Sequence, residues 1–189
     1  MATLVEGSDR LPGAKERGTT KLSYRFSIPT AVLHGKARPT GGIARHSHEE
    51  FFIDLPDHWR ADPSPDPSTF GFRSEKEDAT ILVKIGFLAV AEDKGDEVAE
   101  TNMNGQIEAY KQQCPGGVEV LRWMVRPHSS GIGTEMSYAV EVNAERLFLY
   151  FGHASSRKLI GLLLICGPDR EASARLFGEV VNGFRAKCP

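Results

Sequence analysis

Four alternating apolar segments between Val118 and Cys166 constrain the fold of this chain more than any other feature. The last of them, KLIGLLLIC, is apolar on both faces of a strand. Turns at residues 143–145 and 154–157 are short enough for hairpins, so the segments follow one another closely. Strands in such close succession pair as neighbours in an antiparallel sheet. We therefore predict an antiparallel sheet built on residues 118–166, with the remaining chain arranged to cover it.

Further strands are predicted upstream of this run. Residues 51–55, 69–73 and 79–91 alternate between apolar and polar side chains or are apolar on both faces. Three prolines between residues 62 and 68 cannot join a ladder, so this stretch is predicted to be a rigid surface loop.

Two amphipathic helices are predicted. The first begins near Asp96, because Met103, Ile107, Tyr110 and Cys114 recur at spacings of four, three and four residues. The second covers residues 170–187 and carries an apolar face that includes Val180. A sheet that is apolar on both faces is best covered by one helix on each side. The predicted fold class is α+β, with an antiparallel sheet of about six or seven strands between helices.

The charges divide the chain into two parts. Residues 1–45 hold eight Lys or Arg against three Asp or Glu, a net +5, whereas residues 46–189 hold fifteen against twenty-two, a net −7. Glycines interrupt the first part, so we predict a basic, weakly structured leader over 1–45, with a possible edge strand at 22–33, and one domain over 46–189. The acidic domain lacks the concentrated basic residues that phosphate contacts require, so nucleic acid is not an expected partner.

The lengths of the apolar runs and the positions of the cysteines bear on localisation and cofactors. No run approaches the roughly 18 apolar residues of a membrane span, and residues 1–45 hold no apolar signal core. Three scattered cysteines suit neither a disulfide framework nor a metal knuckle. We expect a soluble, cytoplasmic protein without a membrane span and without a cofactor.

The order of elements and one short motif resemble a known superfamily. Residues 52–59 read FIDLPDHW, and this Leu55-Pro-x-x-Trp59 step opens a series of strands, a helix, four strands and a helix. Over about residues 50–188 the chain resembles the PsbP/Mog1/DcrB-like superfamily. The resemblance implies a binding or assembly role rather than catalysis. Branches of the superfamily include photosystem II extrinsic subunits, a nuclear-transport factor that binds a small GTPase, bacterial lipoproteins and adaptors of type VI secretion.

The function expected from this resemblance is a non-enzymatic protein-interaction module. Its most concrete form is a bacterial adaptor, chaperone or immunity-like protein that holds a partner protein or an apolar segment, and a homo-oligomer is a further possibility. Phe148 and Tyr150 lie on one side of a strand that is apolar on both, so they would form an exposed aromatic groove if no helix covered them. Trp59 and Trp123 are additional candidate contact residues, although they suit a core position better.

The alternative is a small-ligand or metal-binding protein, with a hydrolytic enzyme as one version of it. In an extended strand His46, His48 and Glu50 would point the same way, and two imidazoles with a carboxylate can bind zinc or a similar ion. The competing interpretation of these residues is a polar approach to the first strand. The glycines of residues 129–133 lack the Lys-Ser/Thr of a phosphate-binding loop, and no other catalytic motif is present.

Overall fold

A computed structural model describes residues 42–91, 94–128 and 133–187. In chain order its elements are β1 (Ile43–Ser47), β2 (Phe51–Pro56), β3 (Arg60–Asp62), β4 (Thr69–Ser74), β5 (Ala79–Phe87), α1 (Gly95–Gln113), β6 (Val118–Pro127), β7 (Thr134–Val142), β8 (Arg146–Ala154), β9 (Lys158–Cys166), α2 (Arg170–Gly183) and β10 (Phe184–Ala186). The edge strand predicted at 22–33 lies outside the described residues.

The strands form two antiparallel sheets. The large sheet has the order β3-β4-β5-β9-β8-β7-β6, and the small sheet has the order β1-β2-β10. Strand β9 lies at the centre of the large sheet, where Leu162 and Leu164 are buried on one face and Leu163 on the other. Residues 118–166 therefore form the predicted run of four neighbouring strands.

Helix α1 covers one face of the large sheet. Its apolar stripe, which includes Met103 and Ile107, packs against side chains of β7 and β8 such as Val140. The helix ends at the predicted Pro-Gly-Gly step, where Gly116 takes a left-handed conformation with φ 75°. This face of the core is thus closed by a single amphipathic helix, as predicted.

The other face is covered by α2 together with the small sheet. Phe51, Ile53 and Leu55 of β2 join Val180 of α2 and Phe184 of β10 in one buried cluster. The Asp169 side chain caps α2 by accepting hydrogen bonds from the backbone N–H groups of residues 171 and 172. Each face of the large sheet thus has a helix, but one helix shares its face with a second sheet.

Several predicted bounds differ from the structure. The helix predicted to reach residue 187 ends at Gly183, and the chain continues as β10. The strand predicted to reach residue 91 ends at Phe87. The short strands β1 and β3 were not predicted, and the predicted domain boundary at residue 46 falls inside β1. Within the described parts of the chain, no helix is long and apolar enough to cross a membrane.

Candidate functional site

Phe148 and Tyr150 lie in the core beneath α1. They are 5% and 3% exposed, because the apolar stripe of α1 packs directly on their side of β8. The exposed aromatic groove that required an uncovered face is therefore not formed by these residues. Their assignment as contact residues is corrected to a structural role.

A hydrogen-bonded network surrounds these buried rings. The Tyr138 hydroxyl donates to Gln106 Oε1 over 2.6 Å, and Asn102 Nδ2 donates to the Tyr150 hydroxyl over 3.3 Å. Burial raises the pKa of Tyr150 to about 12, so its hydroxyl stays neutral. Tyr138 stacks on Tyr150 with the ring centroids 4.9 Å apart. The network satisfies polar groups that α1 would otherwise bury without partners, which is a structural task.

The structure does not bring His46, His48 and Glu50 together as a metal site. Strand β1 ends at Ser47, so the alternation that would align the three side chains stops before His48. The His46 ring packs edge-on against Phe72, and the Glu50 carboxylate pairs with Lys158. Among the described residues, no group of three or more His, Cys, Asp or Glu side chains could hold a metal ion. The prediction that these three side chains align as metal ligands is therefore wrong, because the chain turns after β1 instead of continuing as a strand.

The two tryptophans have different positions. Trp59 is buried in the cluster beneath α2, and its backbone N–H donates to the carbonyl of Pro56 over 3.0 Å. It is therefore a core anchor. Trp123 lies on β6 and is 43% exposed, and Val120 on the same strand is 41% exposed. Of the four aromatic residues selected from sequence, Trp123 alone has the exposure that a contact residue needs.

Strand β6 forms one edge of the large sheet. It pairs with β7 on one side, and no strand in the described part of the chain pairs with its other side. The opposite edge, β3, has only three residues and runs into the proline-rich loop. Short strands and prolines are devices that protect a sheet edge from further pairing. The ten-residue β6 is therefore the more accessible of the two edges of this sheet.

The two faces of β6 carry different side chains. Trp123 and Val125 lie opposite Tyr138 and Met136 of β7, so they share the face that α1 covers. Arg122 lies on the other face. A β-bulge between residues 120 and 122 shifts the register, after which residues 122–127 pair regularly with β7. The regularly paired residues 122–127 thus present the ring of Trp123 on one face of the sheet and the guanidinium of Arg122 on the other.

Ion pairs occupy the two ends of this edge but leave its middle to Trp123 and Arg122. At one end Arg170 bonds to both Glu119 and Glu141. At the other end Arg126 donates to Glu135 over 2.7 Å. The Arg122 guanidinium lies 3.9 Å from the sulfur of Met124, a weak interaction.

A signal for the β6 edge is present in the sequence. The strand is the first of a four-strand meander, so it is the member with a neighbour on one side only. It also carries charged residues among its apolar ones, a composition typical of an exposed edge. The sequence did not show that β2 lies outside the large sheet and therefore does not pair with β6. In the structure β2 pairs instead with β1 and β10.

Comparison with known proteins supports the fold. No protein-family model matches the chain, and no curated protein sequence does. The structure is similar to the solution structure of cyanobacterial PsbP (CyanoP) from Synechocystis sp. PCC 6803, with a TM-score of 0.60 and 20% sequence identity, over 82% of this chain and 98% of that one. A crystal structure from Bacteroides thetaiotaomicron VPI-5482 gives a TM-score of only 0.39 at 9% identity, over 73% of this chain and 45% of that one.

The fold class follows from the first of these similarities. The chain has a PsbP-like α+β fold, which confirms the resemblance drawn from the Leu55-Pro-x-x-Trp59 step and the element order. At 20% identity the similarity concerns the fold, and function has to be argued from the surface of this chain.

Proposed function

We propose that this protein is a non-enzymatic interaction module that holds an extended segment of a partner protein as an added strand on β6. A PsbP-like fold fits a non-enzymatic protein-interaction role in general. The observation that carries the proposal is the ten-residue strand β6, whose outer side pairs with no strand among the described residues and which exposes Trp123.

Strand addition has a defined physical basis. Backbone hydrogen bonds along the edge supply affinity, and alternate side chains supply specificity. The bulge confines regular pairing to residues 122–127, so the bound segment spans about six residues at the strand rise. Its side chains on one face would pack against Trp123, and those on the other would meet Arg122. The preferred segment therefore alternates apolar and acidic residues.

A bacterial adaptor or chaperone is the most concrete form of this role. Such a protein must bind an extended segment and release it again, and a single edge of moderate length suits reversible binding. An immunity-like protein would use the same edge but would bind its partner with higher affinity. Both versions depend on the same contact at β6, so one set of variants tests them together.

The direct test is selection of seven-residue peptides that bind the full chain, followed by hydrogen exchange of the complex. We expect selected peptides to alternate apolar and acidic residues and to protect the amides of β6. Trp123→Ala should weaken binding at least about tenfold, as truncation of a central aromatic contact does. Phe87→Ala is the matched control, because Phe87 is also an exposed aromatic residue, at 72%, but lies on β5.

A chemical control separates strand addition from simple burial of a ring. Peptides with the selected side chains but alternate N-methylated backbone amides cannot complete a β ladder. Equal binding of the methylated and unmethylated peptides would contradict the proposal. So would protection of amides that lie away from β6, or concentration-dependent protection of β6 without peptide, which would indicate pairing with a second copy.

A further inference from the structure

The Leu55-Pro-x-x-Trp59 step builds the floor of a concavity that the proposed strand addition does not use. Strand β2 ends at Pro56, and the turn returns Trp59 to the core beside Leu55. Leu176 and Val180 of α2 complete the apolar floor. This open concavity is called the Trp59 pocket below.

Acceptor groups surround this apolar floor. Glu77, Glu179 and His58 line the Trp59 pocket, together with Asp54. Both oxygens of Asp54 accept hydrogen bonds of 2.7 Å from Arg45, so that carboxylate is already neutralised. Glu179 forms no ion pair with any of the described residues, and its carboxylate is exposed on α2.

His58 leaves one polar atom without a hydrogen bond. Its Nε2 is buried and lies 3.2 Å from Oε1 of Glu77, but the two groups are not aligned as donor and acceptor. This nitrogen is nevertheless close enough to the Glu77 carboxylate to be its N–H partner, so it does not serve as an acceptor for a ligand. The pocket thus combines an apolar floor, the carboxylate of Glu179, and the carboxylate of Glu77, which lies beside His58 and 3.5 Å from Lys76 Nζ.

We propose that the Trp59 pocket receives the side chain of an arginine from a partner protein. The methylene stem would lie on Leu176 and Val180, because long basic side chains bury their stems along apolar surface. The guanidinium has five N–H donors in a fixed plane and no acceptor, which suits a site offering the carboxylates of Glu77 and Glu179. The net charge of −7 over residues 46–189 favours encounter with a basic partner. This inference does not depend on strand addition at β6.

The test uses the isotope-labelled full chain and N-acetyl-arginine methylamide as the probe. The sequence has two tryptophans, so each indole N–H gives its own NMR signal. We expect the Trp59 signal and the amides of residues 176–180 to shift with the probe and to saturate at millimolar concentration. The Trp123 signal serves as an internal control and should not move. N-acetyl-citrulline methylamide, which has the same shape without the charge, should not bind.

Two variants connect the shift to the acidic groups. Glu179→Gln should weaken binding of the probe about three- to tenfold, and Glu77→Gln should do the same. Glu171→Gln is the matched control on α2, because Glu171 lies in the first turn of the helix and does not line the pocket. The spectrum of each variant also reports whether it is folded.

Three results would overturn the proposal. Equal binding of the citrulline derivative would remove the role of charge, and equal binding of N-acetyl-lysine methylamide would remove the preference for a guanidinium. Movement of the Trp59 signal with protein concentration alone would place a second copy in the pocket. If no peptide binds at β6 but N-acetyl-arginine methylamide binds as expected, the strand-addition proposal is rejected and the arginine-pocket proposal stands.

Discussion

The Asp66 side chain orders the proline-rich loop between β3 and β4. Its Oδ1 accepts hydrogen bonds from the backbone N–H and the hydroxyl of Ser68, at 2.9 and 2.6 Å, and its Oδ2 accepts one from the Thr69 hydroxyl at 2.8 Å. The bond from the Ser68 hydroxyl, followed by those from the Ser68 N–H and Thr69, lowers the pKa of Asp66 from 3.8 to about 2. One carboxylate thus holds the start of β4 in place.

This arrangement predicts a pH-dependent stability that Asp66→Asn removes. The stabilisation is complete above the unfolded pKa of 3.8 and is lost as pH falls through the folded value of about 2. After allowance for solvent screening, we expect an effect on the order of 1 kcal/mol or less. Urea unfolding of the wild type and Asp66→Asn between pH 2 and about 6 measures it. Parallel pH profiles for the two proteins would contradict the assignment, and Asp62→Asn, in the adjoining exposed strand, is the control.

Tyr150 shows what the sequence could not reveal at the scale of one residue. A Cβ at Gly152 or Gly161 would lie 2.6 or 2.3 Å from the Tyr150 hydroxyl oxygen, so both neighbours are required to be glycine. Alternation alone identified β8 as apolar on both sides, but it could not say which face α1 would cover. The burial of Tyr150 depends on that assignment of helix to face, which is a long-range property of the fold.

At the scale of elements, the end of α2 depends on one close approach. A Cβ at Gly183 would lie 2.4 Å from the carbonyl oxygen of Asp54 in β2, so the helix can reach β2 only with a glycine at this point. The next residue, Phe184, already pairs with Ile53 as the first residue of β10. The apolar periodicity predicted one helix to residue 187, because the contact that ends it involves a strand more than a hundred residues earlier.

The two glycines of α2 should therefore respond oppositely to alanine. Gly183→Ala is expected to cost about 1–3 kcal/mol through overpacking against β2. Gly178→Ala is the matched control, because no atom lies within 4 Å of the position that its added methyl group would take. It should stabilise the protein by about 0.5–1 kcal/mol through its higher helix propensity. Chemical denaturation of both variants measures the difference, and equal tolerance would show that this contact does not set the spacing of α2 and β2.

Local patterns identified most elements, whereas the pairing between distant elements was not accessible from them. The four strands from β6 to β9 are joined by short connections or by one loop, so their order followed from the sequence. The small sheet joins β1 and β2 to β10, which lies at the other end of the domain. Because β1 and β10 are short and only partly apolar, their periodicity is weak, and the second cover of the large sheet was missed.

At the scale of the whole molecule, the predicted junction between the leader and the domain falls at β1. The Gly42 backbone N–H donates to Asp57 Oδ2 over 3.0 Å, and Arg45 pairs with Asp54 through two hydrogen bonds. On its inner face β1 places Ala44 opposite Leu55. Residues 42–45, which charge and glycine content assigned to the leader, therefore contact the rest of the described fold.

Two truncations test this junction. Removal of residues 1–41 should shift the melting temperature by only a few degrees, on the order of 1 kcal/mol or less, if the leader is an appendage. Removal of residues 1–47 also removes β1, which leaves one edge of β2 without a strand partner and breaks the Arg45–Asp54 pair, so it should lower the melting temperature further. Thermal unfolding followed by circular dichroism measures both.

The shorter truncation also bears on the β6 edge. If residues 22–33 pair with β6 as an edge strand, deleting residues 1–41 would cause a large drop in melting temperature and faster hydrogen exchange along β6. The same deletion would then increase peptide binding at β6, since the edge would lose an intramolecular competitor. Unchanged stability and unchanged exchange would instead mean that β6 is open to a partner in the full chain. The first result would assign the β6 edge to residues 22–33 of this chain, and the second would assign it to another protein. In either case the added strand would cover the exposed side chain of Trp123.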